Sequence, residues 1–453
     1  MFIGRSDELA RLREQLDSDE KSVILVYGKR RVGKSTLISE AFRDYHGAVI
    51  NYICVESTFQ GNLELLGRNL CAALGLPDIS FASMNDLFAF AGKQTDEILI
   101  VLDEYQYLKK SEKANTVDSI MQSVIDTLPP NVKLILCGSY VTVMKELLEE
   151  ENPLFGRFTE IIHLKEFDYY DSSLFTPEST VREKIERYAV FGGSPYVQSV
   201  IDDDLSIEQN IKKYLLHDTG ILRVYIESVM LKEVKKAFDV RILEILGNGK
   251  KRYRDIKSAL NQDDNGLLDK QLRNLIDMEV ITKTAPINRQ NDRNKQFYQI
   301  SDNLMRFYFT FIFGSSGMIS RLGADAYYSQ YIEGRLGEFI SRRFEDIAKE
   351  YFSREVRSGE RTDVLDIGTY WYDDPAGNKS GELDVVLKGK GGYAAYECKY
   401  YSEPMSDEDC RIRAENMTDI ADLDVRATGF ICSAGFRFKT DEYELISGED
   451  IYV

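Results

Sequence analysis

Residues 22–41 read SVILVYGKRRVGKSTLISEA. An unbroken apolar run leads into eight residues that fit GxxxxGK[ST], from Gly28 to Ser35, and a helical stretch follows. No other feature constrains the fold as much. A continuous apolar run suits a strand buried on both faces of a parallel sheet. Glycines let the backbone wrap closely round a phosphate, so that its N–H groups and the helix N-terminus face the anion. In this context Lys34 is expected to reach the β- and γ-phosphates of ATP, and the Ser35 hydroxyl to bind Mg2+. Arg31, Val32 and Gly33 complete the loop, and Thr36 follows it into the helix. A glycine turn with a chance lysine would not explain the strand before it and the helix after it.

Similar apolar runs recur at 48–54 (AVINYIC), 97–102 (EILIVL) and 132–137 (VKLILC), with helical stretches between them. Strands alternating with helices predict a doubly wound α/β domain over residues 1–165. One of these runs ends in a chemical signal, ILIVLDEYQYL at 98–108. There Asp103 is placed to hold Mg2+ through water, and Glu104 to orient or deprotonate the attacking water.

The chain has 453 residues and a net charge of −18, so it repels polyanions as a whole, and any nucleic-acid contact needs a local basic face. Its six cysteines show no CxxC spacing and there are only three histidines, which argues against a zinc site and for reduced thiols. MFIGRSDELARL lacks the apolar core of a signal peptide, and the run FYFTFIF at 307–313 is too short to span a bilayer. These features predict a cytoplasmic protein with no membrane association.

Residues 166–232 lose the strand pattern and read as a largely helical lid, interrupted by FGGSP at 191–195. Residues 233–313 read as three helices, then a strand (ITKTAPI), a polar basic turn (NRQNDRNK) and another strand, the pattern of a winged helix. From 232 to 302 there are fifteen Lys and Arg against eleven Asp and Glu. In the turn, Arg289, Arg293 and Lys295 would suit DNA phosphate contacts; the alternative is a solvated turn. GSSG at 314–317 reads as a linker, and a last α/β domain covers 320–453.

That last domain contains GELDVVLKGKGGYAAYECKY at 381–400. With a two-residue turn at Lys390-Gly391, Asp384 should face Glu397, and Lys399 should lie opposite Glu382. Facing carboxylates repel unless a cation lies between them. With no histidine nearby, Mg2+ or Mn2+ suits the pair, unless Lys399 itself neutralises it.

Two resemblances organise these signals. FIGRSDEL, VYGKRRVGKSTL, VLDEYQYL, LCGSY, PLFGR and FGGSPYV occur in the order found in archaeal-type ATPases of the STAND/AAA+ branch, over residues 1 to about 232. This resemblance implies that Ile3, Gly4 and Arg5 lie near the adenine and that Pro195 of the lid closes over it. It makes Ser139 a polar sensor and Arg157 a γ-phosphate contact, in cis or from a neighbouring subunit of a homo-oligomer. The hairpin resembles the D…ExK core of the PD-(D/E)XK nucleases, a usual C-terminal partner of such ATPases. In that core Asp384 and Glu397 hold the metal and Lys399 acts on the phosphate. A glutamate of the preceding helix completes the site, with Glu345 the first candidate and Glu338 the second. Both lie opposite the Leu336–Phe339–Ile340–Ile347 stripe, where solvation is the simple expectation. The function expected is ATP-dependent action on DNA. Its rivals are an ATP-switched DNA-binding protein with an inactive nuclease fold, and a signalling NTPase that oligomerises on ATP.

Overall fold

The computed structural model describes residues 2–453 apart from 114, 233, 235–237, 262–265, 375–378, 419 and 421–422. The chain divides into two compact units, Met1–Glu166 and Phe167–Val453. Among the described residues no helix is long and apolar enough to cross a membrane.

The first unit is a parallel sheet of five strands: β1 (Val23–Tyr27), β2 (Ala48–Ile53), β3 (Ile98–Asp103), β4 (Val132–Gly138) and β5 (Glu160–His163), in the order β2-β3-β4-β1-β5. Every residue of β1, β3 and β4 is buried, because helices cover both faces of the sheet. Leu12, Leu16, Leu37 and Ile38 pack on one side with Ile24 and Val26. Leu63, Leu66, Met121 and Val124 pack on the other with Leu25 and Ile100. The short strand β5 carries no long apolar run and was not signalled by the sequence. Since β1 lies between β4 and β5, the chain must cross two strands to reach β2, and a crevice is left beyond the C-terminal end of β1.

In the second unit, helices Arg241–Gly247, Tyr253–Leu260 and Leu267–Asp277 accompany a small sheet of β6 (Lys251–Arg252), β7 (Ile281–Thr284) and β8 (Phe297–Ile300), ordered β6-β8-β7. The strand expected to run to Ile287 stops at Thr284. Beyond it, Ile287 is buried and its N–H donates to Thr369 O at 2.9 Å. GSSG is not an extended linker either. Gly314 makes a turn at φ 76, and a helix already starts at Ser316.

The helix Glu333–Ser358 then leads to β9 (Val364–Asp374), β10 (Lys379–Gly389), β11 (Gly392–Lys399), the helix Asp407–Thr418, β12 (Val425–Cys432) and β13 (Glu444–Ser447). These strands form a mixed sheet, β13-β12-β11-β10-β9, with β9 to β11 antiparallel and the β11–β12 and β12–β13 pairs parallel. Phe344 and Phe352 of the long helix pack against Leu387 and Tyr396 on one face. Cys410, Ala414 and Met417 pack against Val386 and Phe430 on the other.

The long helix also carries Glu350, whose carboxylate accepts from Tyr188 Oη at 3.0 Å and from the Tyr169 N–H at 3.2 Å. Burial pushes its pKa up to about 8 from an ordinary 4.5. A raised pKa means that stability is full below the ordinary value and declines as pH rises through the folded one. Glu350→Gln should therefore flatten the loss of thermal stability between pH 5 and 8, an effect on the order of a few kcal/mol. Parallel pH profiles for wild type and variant would refute this.

Candidate functional site

The crevice beyond β1 is built by the Gly28–Ser35 loop. A Cβ on Gly28 would lie 2.0 Å from Leu164 O, so no other residue fits there without moving the backbone. Arg31 (φ 64) and Gly33 (φ 94) curl the loop through the left-handed region, and the helix starts at Lys34. The Lys34 ammonium is buried inside this curl and donates to Gly28 O at 2.9 Å and Lys29 O at 2.8 Å. Burial lowers its pKa, and Cys137, Glu104 and Asp103 oppose the shift.

Ser35 Oγ donates to Asp103 Oδ2 at 2.8 Å, which brings two hard oxygen donors together as a Mg2+ site requires. Thr36 follows in the same helix. Asp103 Oδ1 accepts from the Glu104 N–H at 2.8 Å. Glu104 adopts φ 55, a conformation sparsely populated for non-glycine residues, and begins a short helix at Tyr105. Its carboxylate accepts from Ser139 Oγ at 2.7 Å and from Gln106 Nε2. Gln106 also donates to Ser139 Oγ at 3.2 Å and is fully buried. Sequence reasoning missed Gln106, although it is an amide inside the otherwise apolar and aromatic YQYL. It also missed Arg30, which donates to the Tyr107 and Tyr140 hydroxyls at 3.2 and 3.1 Å.

Gly4 (φ 62) and Arg5 (φ 63) are consecutive left-handed residues after Ile3. The Arg5 guanidinium donates to Lys165 O and to Val32 O, which ties the N-terminal segment to the loop. Arg157 departs from expectation. The Thr159 N–H donates to Val23 O, so this segment lies beside the N-terminal ends of the strands, whereas the loop leaves the C-terminal end of β1. The five residues of β1 separate the two by roughly 16 Å. Moreover, Asp126 holds the Arg157 guanidinium at 2.9 and 3.2 Å. The γ-phosphate contact in cis is therefore not formed. Pro195 belongs to the second unit, as first residue of the helix Pro195–Val200. A Cβ on the nearby Gly193 would meet Phe167 O at 1.8 Å, which explains one glycine of FGGSP.

The C-terminal hairpin turns at Lys390-Gly391, with Lys388 opposite Tyr393 and Gly389 opposite Gly392. The same register continues to Val385 opposite Tyr396, one step short of Asp384 and Glu397. Lys399 Nζ stands 2.7 Å from Glu397 Oε1 and 3.8 Å from Asp384 Oδ2. It is not opposite Glu382: an irregularity in β10 between Leu383 and Val386 bends the strand, and Glu382 lies 3.8 Å from Lys250 instead. Arg413, which the sequence did not signal, reaches Glu397 Oε1 at 3.0 Å.

Burial and Glu397 together raise the Asp384 pKa, and the Cys398 N–H donates to Asp384 Oδ2 at 3.1 Å. Burial works most strongly against the Lys399 charge, but the bond to Glu397 together with the negative charges of Glu397 and Asp384 outweighs it and the pKa is raised. Glu345 is half-buried rather than fully solvated. Burial first, and Asp384 second, push its pKa up to about 7. Glu338, in contrast, is exposed and pairs with Arg342 at 2.5 Å. Among the described residues no three His, Cys, Asp or Glu side chains converge as a metal site. An ammonium stands between Asp384 and Glu397, where a shared ion would be. As placed, these residues do not fit Mg2+ or Mn2+.

Comparison with known proteins adds the following. Residues 2–198 match the family model of an ATPase domain found predominantly in Archaea. Residues 308–412 match a family of archaeal and bacterial proteins of unknown function. The uncharacterized protein MJECL04 of Methanocaldococcus jannaschii is 27% identical over 416 residues, which is 91% of this chain and 90% of that protein. The uncharacterized ATP-binding protein PH0541 of Pyrococcus horikoshii is 26% identical over 169 residues, 36% of this chain and 50% of that one. Among solved structures, the Walker-type ATPase paby2304 of Pyrococcus abyssi aligns with a TM-score of 0.46 at 22% identity, over 68% of this chain and 96% of that one. The loop, the parallel sheet and the family match over residues 2–198 support a P-loop ATPase domain in this part of the chain, a kind of domain that binds nucleotide, typically with Mg2+.

Proposed function

We propose that ATP hydrolysis at the Gly28–Ser35 loop drives or gates the action of the second unit on DNA. The observation that carries the DNA reading is the order of its last domain. A helix, three antiparallel strands, a helix and a parallel strand place Asp384, Glu397 and Lys399 together, as in a PD-(D/E)XK-like domain. Since Lys399 occupies the space between the carboxylates, the reading favoured is binding of the DNA backbone rather than cleavage. Metal-dependent cleavage would require an ion to displace the Lys399 ammonium from Asp384 and Glu397; Glu345, whose charge interacts with that of Asp384, is the further acid it would use.

At the nucleotide, Lys34 exchanges the carbonyls of Gly28 and Lys29 for phosphate oxygens. Ser35 and Asp103 would hold a Mg2+, which would neutralise charge on the phosphates. Glu104 takes a proton from the attacking water, whose oxygen bonds to the γ-phosphorus as the bond to ADP breaks. Ser139 and Gln106 hold the Glu104 carboxylate and so decide where it points. Ile3, Gly4 and Arg5 border the base. Arg157, unable to reach its own loop, would serve a neighbouring copy in a homo-oligomer.

The small sheet with its three helices is read as a winged helix. Its Lys295 is already engaged, with its ammonium 3.0 Å from the centre of the Trp371 ring. Arg289 and Arg293 remain exposed. Replacing both by glutamine should reduce the slope of log affinity against log salt for duplex DNA by about 1.8, at about 0.9 per lost phosphate contact. Lys295→Gln should leave the slope as it is. An unchanged slope in the double variant would move the DNA contact off the wing, and no salt-dependent binding at all would remove DNA from the function.

A further inference from the structure

A cleft in the second unit is lined by Lys250, Arg306, Arg335, Arg342 and Arg343, with Glu338 the one acidic residue on its wall. Lys250 follows the helix Arg241–Gly247, Arg306 belongs to the helix Asn303–Phe311, and the other three arginines lie on the helix Glu333–Ser358. The chain carries a net charge of −18, so five cations here are a local reversal of its sign.

Neighbouring acids neutralise this group only in part. Glu338 is engaged by Arg342, and Lys250 lies 3.8 Å from Glu382. Asp346 is shared: it lies 2.9 Å from Arg306, 3.5 Å from Arg343 and 3.7 Å from Lys349. The Arg343 side chain is only 12% exposed, and its Nε, 3.5 Å from Asp346 Oδ2, makes no hydrogen bond of good geometry. Burial, and then Arg306 beside it, push its pKa down to about 10. Two enclosed guanidinium groups therefore share the Asp346 carboxylate with a lysine; Arg306 also donates to Ile300 O and Asn303 Oδ1, and Arg343 has Glu345 as a second negative charge nearby. A charge only partly compensated in such a place is costly unless an anion completes it.

A solvated basic surface would account for Arg335 and Arg342, which are exposed, but not for Arg343 and Arg306. Gly249 adds a geometric detail. It adopts φ 97, and a Cβ there would sit 3.3 Å from Arg342 Nη1, so the glycine leaves room for that arm.

We propose that this cleft binds a phosphate monoester, carried by a small molecule or by the 5′ end of a nucleic-acid strand. Guanidinium forks match phosphate oxygens two at a time, and several around one concavity suit the two charges of a monoester better than the single charge of a diester. The proposal does not depend on the wing or on the acidic hairpin.

The test uses the full chain carrying Lys34→Ala, so that the Gly28–Ser35 loop does not contribute. Binding of inorganic phosphate, of a 5′-phosphorylated dinucleotide and of its 5′-hydroxyl counterpart is measured by calorimetry at low salt. Phosphate and the phosphorylated dinucleotide should bind, and the hydroxyl form should not. A phosphorylated dinucleotide that binds more tightly than phosphate points to a strand end, and equal affinities point to a small molecule. Adding Arg342→Gln, at an exposed position that leaves the fold intact, should weaken binding about tenfold or more, and Arg343→Met at least as much. Absence of phosphate binding, or affinity unchanged by Arg342→Gln, overturns the proposal.

Discussion

Glu104→Gln should slow ATP hydrolysis by about two to four orders of magnitude while ATP affinity changes little. The reason lies in how the carboxylate is held. Glu104 receives hydrogen bonds from Ser139 and Gln106, and neither bond needs its negative charge. Glutamine can keep the position and accept from Ser139, but it cannot take a proton from water. Lys34→Ala should do the opposite kind of damage. It removes the one ammonium enclosed by the loop, where Gly28 O and Lys29 O now hold it, so tight ATP binding itself should be lost. Binding measured with a fluorescent ATP analogue, beside phosphate release at saturating ATP, separates the two effects. Equal loss of affinity in both variants would mean that Glu104 shapes the pocket rather than handling water. Ser139→Ala gives a graded check: if Ser139 only positions Glu104, turnover should fall less than in Glu104→Gln.

The phosphate loop was legible because its chemistry is local. Gly28, Lys34 and Ser35 lie within eight residues, and the strand and helix that place them are adjacent in sequence. Asp103 and Glu104 were legible for a similar reason, since an apolar strand that ends in acids shows both the element and its tip. Arg157 was not, because PLFGR says nothing about which end of the sheet the chain has reached. That depends on β5, a strand of four residues with little apolar signal. The partial burial of Glu345 was not legible for a related reason. Helical periodicity separated it from the Leu336–Ile347 stripe, but a helix packed against a sheet encloses more than one stripe, and Asp384 approaches from that sheet. Arg413 and the bend of β10 depend on contacts between distant segments, for which no local pattern exists.

Lys399→Met should destabilise the second unit by roughly 2–4 kcal/mol, because it leaves Asp384 and Glu397 facing each other with their neutralising cation gone. Both acids are about four-fifths enclosed, with side chains 21% and 18% exposed, so water screens them little. Arg413 still reaches Glu397, but Asp384 would keep the Cys398 N–H and only the more distant charge of Lys349. Asp384→Asn should act in the other direction. An asparagine can still accept from that N–H, and the repulsion from Glu397, which helps raise the Asp384 pKa, disappears. The variant should melt above wild type at neutral pH. Thermal unfolding of wild type and both variants, with and without Mn2+, tests the cluster beside a DNA nicking assay. If Lys399 is the structural cation, Mn2+ leaves the wild-type melting temperature unchanged and no cut is seen. If Mn2+ stabilises the wild type but not Asp384→Asn, the ion displaces the ammonium. Lys399→Met would then retain the metal while losing any cleavage, since its charge acts on the phosphate. A lysine that neither stabilises the fold nor affects cleavage would leave the facing carboxylates unexplained and overturn both accounts of the hairpin.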